Sequence, residues 1–233
     1  VDVLGSLLEV LFPAGCVGCG RPPGALCPAC LARARPAEAA PPPAGLDWWV
    51  AAFAYEGAVR EAVARIKYRN ARSALSPLAV ALQGVLLTPG PGPVDLITWP
   101  PTTPARRRER GFDQAEHLAR RLGRLVDVPV QACLIRSAGP SQTGRTARER
   151  RVGPGFTAVA GNRPLAGRQI LVVDDIATTG ATLAAAARAL RVAGAAGVAA
   201  ATIARTPRRN RPPRGADRSP AAQDDFLGRR YHN

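Results

Sequence analysis

Ile170 to Leu183 reads ILVVDDIATTGATL, and the interpretation of this stretch decides the fold. Four apolar residues, Ile170 to Val173, have the composition of a buried strand, and Asp174 and Asp175 set two adjacent charges at its carboxyl end. Ile176 to Thr182 then read as a loop and the first turn of an alanine-rich helix. In an open parallel sheet, ligands bind beyond the carboxyl ends of the strands, where a loop feeds a helix N-terminus. Successive backbone N–H groups in such a turn make an anion-binding concavity, which the helix dipole reinforces. Within the loop from Ala177 to Thr182, Gly180 and Ala181 keep side chains clear of a phosphate, and Thr178, Thr179 and Thr182 add hydroxyl donors. The two carboxylates would repel a phosphate. They accept well from hydroxyls, and a Mg2+ ion nearby would favour their charge. A phosphate at one end and neighbouring hydroxyls at the other describe a ribose 5-phosphate. A P-loop is excluded, because the pattern G-x-x-x-x-G-K-[ST] occurs nowhere in the chain. The plainer alternative, an ordinary strand, loop and helix, leaves both aspartates and three threonines to coincidence.

The segments around this stretch alternate in character. WWVAAFAYEG reads as a strand, AVREAVARIKYR as a helix, and PVDLITWP (Pro93 to Pro100) as a short buried strand bounded by prolines. In DQAEHLARRLGRL, Leu118, Leu122 and Leu125 share one helical face, and Asp113 and Glu116 are spaced as N-cap and N3 of a capping box. Asp113 and Gln114 are accordingly expected to start that helix. A strand candidate around VPVQACLI, the strand QILVVDD, the helix ATLAAAARALRVAG with Gly194 at its C-cap, and the strand GVAAATIA follow. Such alternation predicts an α/β fold, a parallel sheet flanked by helices. Residues 1–45 form a first piece, ending in the linker-like PAEAAPPPAG. Residues 46–204 form the α/β domain, and residues 205–233 a basic tail without apolar periodicity, expected to be disordered.

The 233 residues carry a net charge of +15, nearly all of the positive charge being arginine. That balance favours polyanionic partners, nucleic acid or phosphorylated ligands, unless it reflects only a preference for arginine at solvated positions. No apolar run approaches the ~20 residues that span a bilayer, so membrane insertion is not expected. Val1 to Cys16 include Asp2 and Glu9 and lack a basic leader, unlike a secretory signal, and Leu4, Leu7, Leu8 and Leu11 have the spacing of a short amphipathic helix. The expectation is a cytoplasmic protein.

Cys16-V-G-Cys19 and Cys27-P-A-Cys30 are two Cys-x-x-Cys knuckles separated by the short loop GRPPGAL. Four thiolates so placed can surround one Zn2+ tetrahedrally, and the metal would supply folding free energy that this apolar-poor loop lacks. Disulfides or a redox Cys-x-x-Cys are the alternatives. Cys133 is expected to be a small core residue, and His117 and His232 have no assigned role.

The stretch ILVVDDIATTGATL resembles the signature of type I phosphoribosyltransferases. The resemblance implies that Asp174 and Asp175 hold the ribose hydroxyls of phosphoribosyl pyrophosphate (PRPP), as catalytic residues, above a 5-phosphate loop from Ala177 to Thr182. The paired knuckles, the Tyr55 to Arg69 segment, RERGFDQAEHLAR (Arg108 to Arg120) and SQTGR…RERR (Ser141 to Arg151) narrow the resemblance to the ComF family. Its members join a zinc-binding N-terminal module to a phosphoribosyltransferase domain and are associated with DNA uptake in natural competence. Two departures from the family pattern, RVGPGF without its usual asparagine and WPPTTPARRRE in place of a Pro-x-Pro turn, bear on local loop geometry. The fold places a pyrophosphate loop at Arg106, Arg107, Arg108 and Arg110. Arg145, Arg148, Arg150 and Arg151 would fold over the ligand or meet nucleic acid, and Lys67 is a candidate cleft cation. For each, a solvated surface charge is the alternative.

Two functions follow. One is a PRPP-binding protein that handles incoming single-stranded DNA beside uptake-machinery proteins. The other is an active transferase joining a nitrogen nucleophile to the ribose. The basic segments and the zinc module favour the first, since arginines bind a nucleic-acid backbone without reading bases. Trp48, Trp49 and Tyr68 are the aromatics available for stacking, although core positions suit them better. No segment can be identified that would recognise a nucleobase.

Overall fold

A computed structural model describes residues 15–22, 26–69, 72–87, 90, 92–137 and 154–207. The expected N-terminal helix, the arginines from 145 to 151, the tail beyond residue 207 and the Tyr68 side chain lie outside the described residues.

The chain contributes α1 (Pro28–Ala32), β1 (Trp48–Ala54), α2 (Gly57–Arg69), a 3-10 turn (Arg72–Ala74), α3 (Leu75–Leu86), β2 (Leu96–Thr98), α4 (Pro104–Arg110) and α5 (Gln114–Val126). Then come β3 (Leu134–Arg136), β4 (Phe156–Ala158), β5 (Gln169–Ala177), α6 (Ala181–Val192) and β6 (Gly197–Arg205). Four strands form a parallel sheet in the order β1-β6-β5-β2, and β3 and β4 form a separate antiparallel pair. The alternating pattern therefore yields the α/β architecture expected from it.

Sheet side chains alternate between two apolar layers because strand periodicity is two. Ile97, Leu171, Val173, Ala199, Ala201 and Ile203 join the layer formed with α2, α3 and α5. Leu96, Ile170, Val172, Val198 and Ala200 join the layer formed with α6. Every residue of β6 is buried, as a central strand covered on both faces must be.

The helices start and stop for local reasons. Asp113 caps α5, its Oδ1 accepting from the N–H groups of Ala115 at 3.1 Å and Glu116 at 3.4 Å. Glu116 does not complete a capping box. Its carboxylate pairs with Arg120 at 3.0 Å and Arg107 at 3.5 Å. Leu118 and Leu122 are fully buried, whereas Leu125, one turn further on, is 37% exposed. Gly194 follows α6 with φ +87°, the left-handed conformation that ends helices.

Three expectations are revised. The VPVQACLI segment is not one strand: Val130 bridges in parallel to Ile97 at the sheet edge, and the chain leaves the sheet before pairing Leu134–Arg136 with β4. The aspartates do not mark the end of their strand, because β5 continues through them to Ala177. The proline-rich segment is packed against the domain. Ala54 donates to the Arg35 carbonyl at 2.9 Å and Ala37 to the Ala52 carbonyl at 3.2 Å. Pro43 lies so close to Gly180 that a Cβ there would come within 2.6 Å of its Cγ.

Candidate functional site

The site exists because two neighbouring strands differ in length. β2 ends at Thr98, opposite Val172, where Trp99, Pro100 and Pro101 turn the chain away, while β5 runs five residues further to Ala177. Over that overhang β5 is paired only with β6, and the space left at the carboxyl end of β2 is a cavity of about 290 Å3. Its wall contains Asp174, Asp175, Thr182, Lys67, Arg106, Arg110, Asp113, Gln114 and Arg136.

Strand alternation continues into the overhang. Asp175 follows Leu171 and Val173, on the side covered by α2, and its Oδ2 meets the Lys67 ammonium at 2.7 Å. Lys67 and Asp175 keep only 19% and 16% of their side-chain surface. Each carboxylate also accepts from the next backbone N–H, Asp174 from Asp175 at 2.8 Å and Asp175 from Ile176 at 2.7 Å. These bonds fix the carboxylates along an edge where no neighbouring strand competes. Burial pushes the Asp174 carboxyl well above the usual carboxylate range, and the adjacent charge of Asp175 adds to it. The Asp175 N–H and the Lys67 ammonium oppose that rise.

Opposite the carboxylates lies a cationic wall. Arg136, at the end of β3, donates from Nε to the Pro101 carbonyl at 2.9 Å and lies 5.0 Å from the Phe156 ring centroid. Burial, then the Arg106 guanidinium, lower its pKa. Arg110 donates to Gln114 Oε1 at 3.0 Å, and Gln114 Nε2 is buried without a hydrogen-bond partner among the described residues. A buried amide donor at a cavity wall is a place for a ligand acceptor. Asp113 ties the wall together, its Oδ2 accepting from Thr102 N–H at 2.8 Å while its Oδ1 caps α5.

The sequence-predicted residues divide clearly. Asp174, Asp175, Thr182, Lys67, Arg106 and Arg110 meet at the cavity. Ala177 is buried in β5, Thr178 and Thr179 are exposed, and Gly180 is buried beneath Pro43 with φ +75°. Thr179 Oγ1 accepts from the Ala181 N–H at 3.3 Å, so one of the amides at the start of α6 already has a partner. None of the residues from Ala177 to Ala181 belongs to the cavity wall. Arg107 is drawn to Glu116, and Arg108 is exposed on α4 outside that wall. Arg145 and Arg150 lie outside the described residues. Arg136, Gln114 and Asp113 were not singled out as ligand-facing. Asp113 and Gln114 carried a local signal only as the start of a helix, and Arg136 carried none.

The four cysteines gather apart from this cavity. The Sγ atoms of Cys16, Cys19, Cys27 and Cys30 all lie within 4.8 Å of one another, and Cys19 and Cys27 are 3.8 Å apart. Four sulfurs ~2.3 Å from a zinc ion have edges of ~3.8 Å, so the cluster could hold one zinc. Backbone N–H groups of Gly18 at 3.4 Å and Cys27 at 3.3 Å point at Cys16 Sγ, and that of Cys30 at Cys27 Sγ at 3.4 Å. Burial works against ionisation of Cys16, but these amides and that of Cys19 outweigh it and pull the thiol down to about 6. The Cys27 side chain, followed by burial, pushes the Cys30 thiol up to about 12. Cys133 is fully buried in the sheet core, as expected. No helix among the described residues is long and apolar enough to cross a membrane.

Several known proteins are similar to parts of this chain. The chain is 29% identical over 138 residues to the competence protein ComFC of Bacillus subtilis, a match covering 59% of this chain and 55% of that protein. It thus spans about half of its relative's length. Among solved structures, the glutamine PRPP amidotransferase of B. subtilis is 23% identical, with a TM-score of 0.39 over 56% of this chain and 27% of that one. The purine phosphoribosyltransferase of Pyrococcus horikoshii is 16% identical, with a TM-score of 0.37 over 57% of this chain and 83% of that one. Residues 108–225, half of the chain, match the phosphoribosyl transferase domain. With its parallel sheet flanked by helices and its likeness to ComFC, this chain belongs to the phosphoribosyl transferase domain family as a ComF-like member.

Proposed function

We propose that the cavity binds PRPP together with Mg2+, and that the protein serves DNA uptake. The observation that carries the reading is the meeting of two carboxylates, on the overhang of β5, with Lys67, Arg106, Arg110 and Arg136 around one cavity of about 290 Å3. A ligand complementary to that wall has hydroxyls at one part and several phosphates at another. Asp174 and Asp175 accept from the ribose hydroxyls. Thr182 and the turn before it take the 5-phosphate. Arg106, Arg110, Arg136 and the spare Gln114 donor take the pyrophosphate. The oxygen donors at the acidic pair suit Mg2+, which supplies positive charge against the phosphates when bound. The four cysteines hold a structural zinc that stabilises a module spanning residues 1–45, with residues 205–233 as a basic tail. β6 itself extends to Arg205, one residue beyond the boundary read from the sequence.

The likeness to a competence protein and the net charge of +15 support a cytoplasmic role beside the DNA-uptake machinery, with single-stranded DNA contacted through its backbone. A second reading, an active phosphoribosyltransferase, is favoured by Arg136. This half-buried guanidinium is held in place before a ligand arrives, as stabilisation of a departing pyrophosphate requires.

Titration calorimetry with PRPP and Mg2+ tests the reading. Binding is expected in the wild type and lost in Asp174→Ala/Asp175→Ala, and equal affinity in the double variant overturns it. Pyrophosphate release with a panel of bases separates the two functions, since turnover with any base establishes the transferase. Failure to bind single-stranded DNA at low salt removes the DNA-handling role.

A further inference from the structure

The chain has 32 basic residues, and Lys67 is its only lysine. Every other basic position is arginine, yet the cation placed 2.7 Å from Asp175 is the compact ammonium. An ammonium is a point charge on a flexible stem, whereas a guanidinium is a wide planar fork, so the two are not interchangeable in a narrow contact. What holds this ammonium in place is α2. Val59, Val63 and Lys67 follow one another at steps of four, along a single face of the helix. Val59 and Val63 are buried together with Cys16 and Leu26, and Val17, Cys27, Cys30 and Leu31 pack on the same cluster. Arg65 adds a polar tether, its Nη1 donating to the Gly15 carbonyl at 3.3 Å, and the Gly18 backbone comes close to Ala58. α2 also touches α1 and the 3-10 turn, while Ala62, Val63 and Ile66 belong to the apolar layer that covers the sheet. The cysteine knuckles therefore support one end of α2, and the carboxylate pair meets the other about 14 Å along the axis.

We propose that α2 links the four-cysteine cluster to the carboxylate pair. Metal held by the cluster fixes the helix, and the fixed helix keeps the Lys67 ammonium on Asp175. Lys67 is thus a positioning residue for the ligand carboxylates. The linkage has two states, Lys67 seated on Asp175 and Lys67 released, and the cluster biases them. Because coupling of binding free energies is reciprocal, a ligand that favours the seated state tightens metal binding to the same degree. The consequence for PRPP rests on the function proposed above. The link between the cluster and Lys67 does not.

The test uses the full chain and two readouts. The first is acylation of Lys67 by N-hydroxysuccinimidyl acetate, followed by peptide mass spectrometry, where a sole lysine gives an unambiguous signal. Release from 19% to full exposure is expected to raise the labelling rate up to about fivefold in Asp175→Asn. Stripping metal with a chelator under reducing conditions should raise it comparably in the wild type and add nothing in Asp175→Asn. Arg65→Ala, which retains all four cysteines, should give a smaller rise with the metal still bound. It decides the matter if the stripped chain loses hydrogen-exchange protection of β5 and β6. Labelling that is unchanged by both stripping and Arg65→Ala overturns the linkage, and no rise in Asp175→Asn overturns the seated state itself.

The second readout is PRPP affinity by calorimetry. The acidic pair is faced by Lys67 from α2, Arg106 and Arg110 from α4, Asp113 before α5 and Arg136 from β3. Lys67→Met, which removes the ammonium 2.7 Å from Asp175, should weaken binding at least tenfold. Metal stripping should weaken the wild type in the same direction and add little in Lys67→Met. Wild-type affinity in Lys67→Met overturns the positioning role. Absence of PRPP binding in the wild type refutes the proposed function and leaves the labelling result to decide the linkage.

Discussion

Asp113→Ala should loosen the cavity wall by an amount that follows from three hydrogen bonds. The Asp113 residue is 3% exposed, and its carboxylate accepts from Ala115, Glu116 and Thr102 N–H groups at 3.1, 3.4 and 2.8 Å. Losing an N-cap costs about 0.5–2 kcal/mol. Stranding the partly buried Thr102 donor adds about 1 kcal/mol. The expected loss is about 1.5–3 kcal/mol, a large share of the 5–15 kcal/mol that typically holds a domain together. Asp113→Asn keeps an oxygen for α5 but turns an N–H group toward Thr102, so about 1 kcal/mol is expected.

The pH dependence provides a second check. Burial is the largest influence on Asp113 and raises its carboxyl above the ordinary value of 3.8, against the pull of its three amide donors. A carboxyl raised on folding binds its proton more tightly in the folded state. Its contribution is therefore fully present below the unfolded value and declines as pH rises through the folded one. Asparagine does not titrate, so the stability gap between wild type and Asp113→Asn should be widest below pH 3.8 and narrow toward pH 7. Urea unfolding across this range measures both quantities. A loss below about 0.5 kcal/mol for Asp113→Ala would place the carboxylate outside the cap network, against its three short bonds. A gap that widens with pH would refute the sign of the burial argument.

Three further outcomes are expected. Gly180→Ala forces a side chain into φ +75° with its Cβ 2.6 Å from Pro43 Cγ. It should cost at least 1–2 kcal/mol by urea unfolding, roughly the strain of one left-handed residue, and weaken ribose 5-phosphate binding by calorimetry. Arg136→Ala should weaken inorganic pyrophosphate binding by about 1.5–3 kcal/mol, the worth of one hydrogen bond to a charged group, whereas Arg107→Ala, outside the cavity wall, should change it less than twofold. Equal effects would disprove the assignment of the wall. Metal analysis of the purified chain should find about one zinc equivalent, lost in Cys16→Ser/Cys19→Ser; a variant that retains the metal would exclude the four-sulfur site.

What the sequence determined by itself is whatever depends on neighbours along the chain. Alternating apolar segments specify strands and helices locally, so β1, α2, β2, α5, β5, α6 and β6 could all be read in advance. The Cys-x-x-Cys spacing brings each sulfur pair within reach of one ion, and Asp113 caps the helix that begins at the next residue. The acidic pair stands out in one short run, whereas the threonine-rich turn beside it brings only Thr182 to the cavity wall. The cationic half of the cavity could not be read in this way. A guanidinium on α4 outside the wall and one on β3 within it look alike in sequence, because burial and partners come from segments far away in the chain. Lys67 meets Asp175 from 108 positions away in the chain, and Arg136 reaches the same cavity from a strand outside the main sheet. The cavity itself arises because β2 stops opposite Val172 while β5 runs on to Ala177. That difference is a property of two strands placed side by side, and only the tertiary structure sets it.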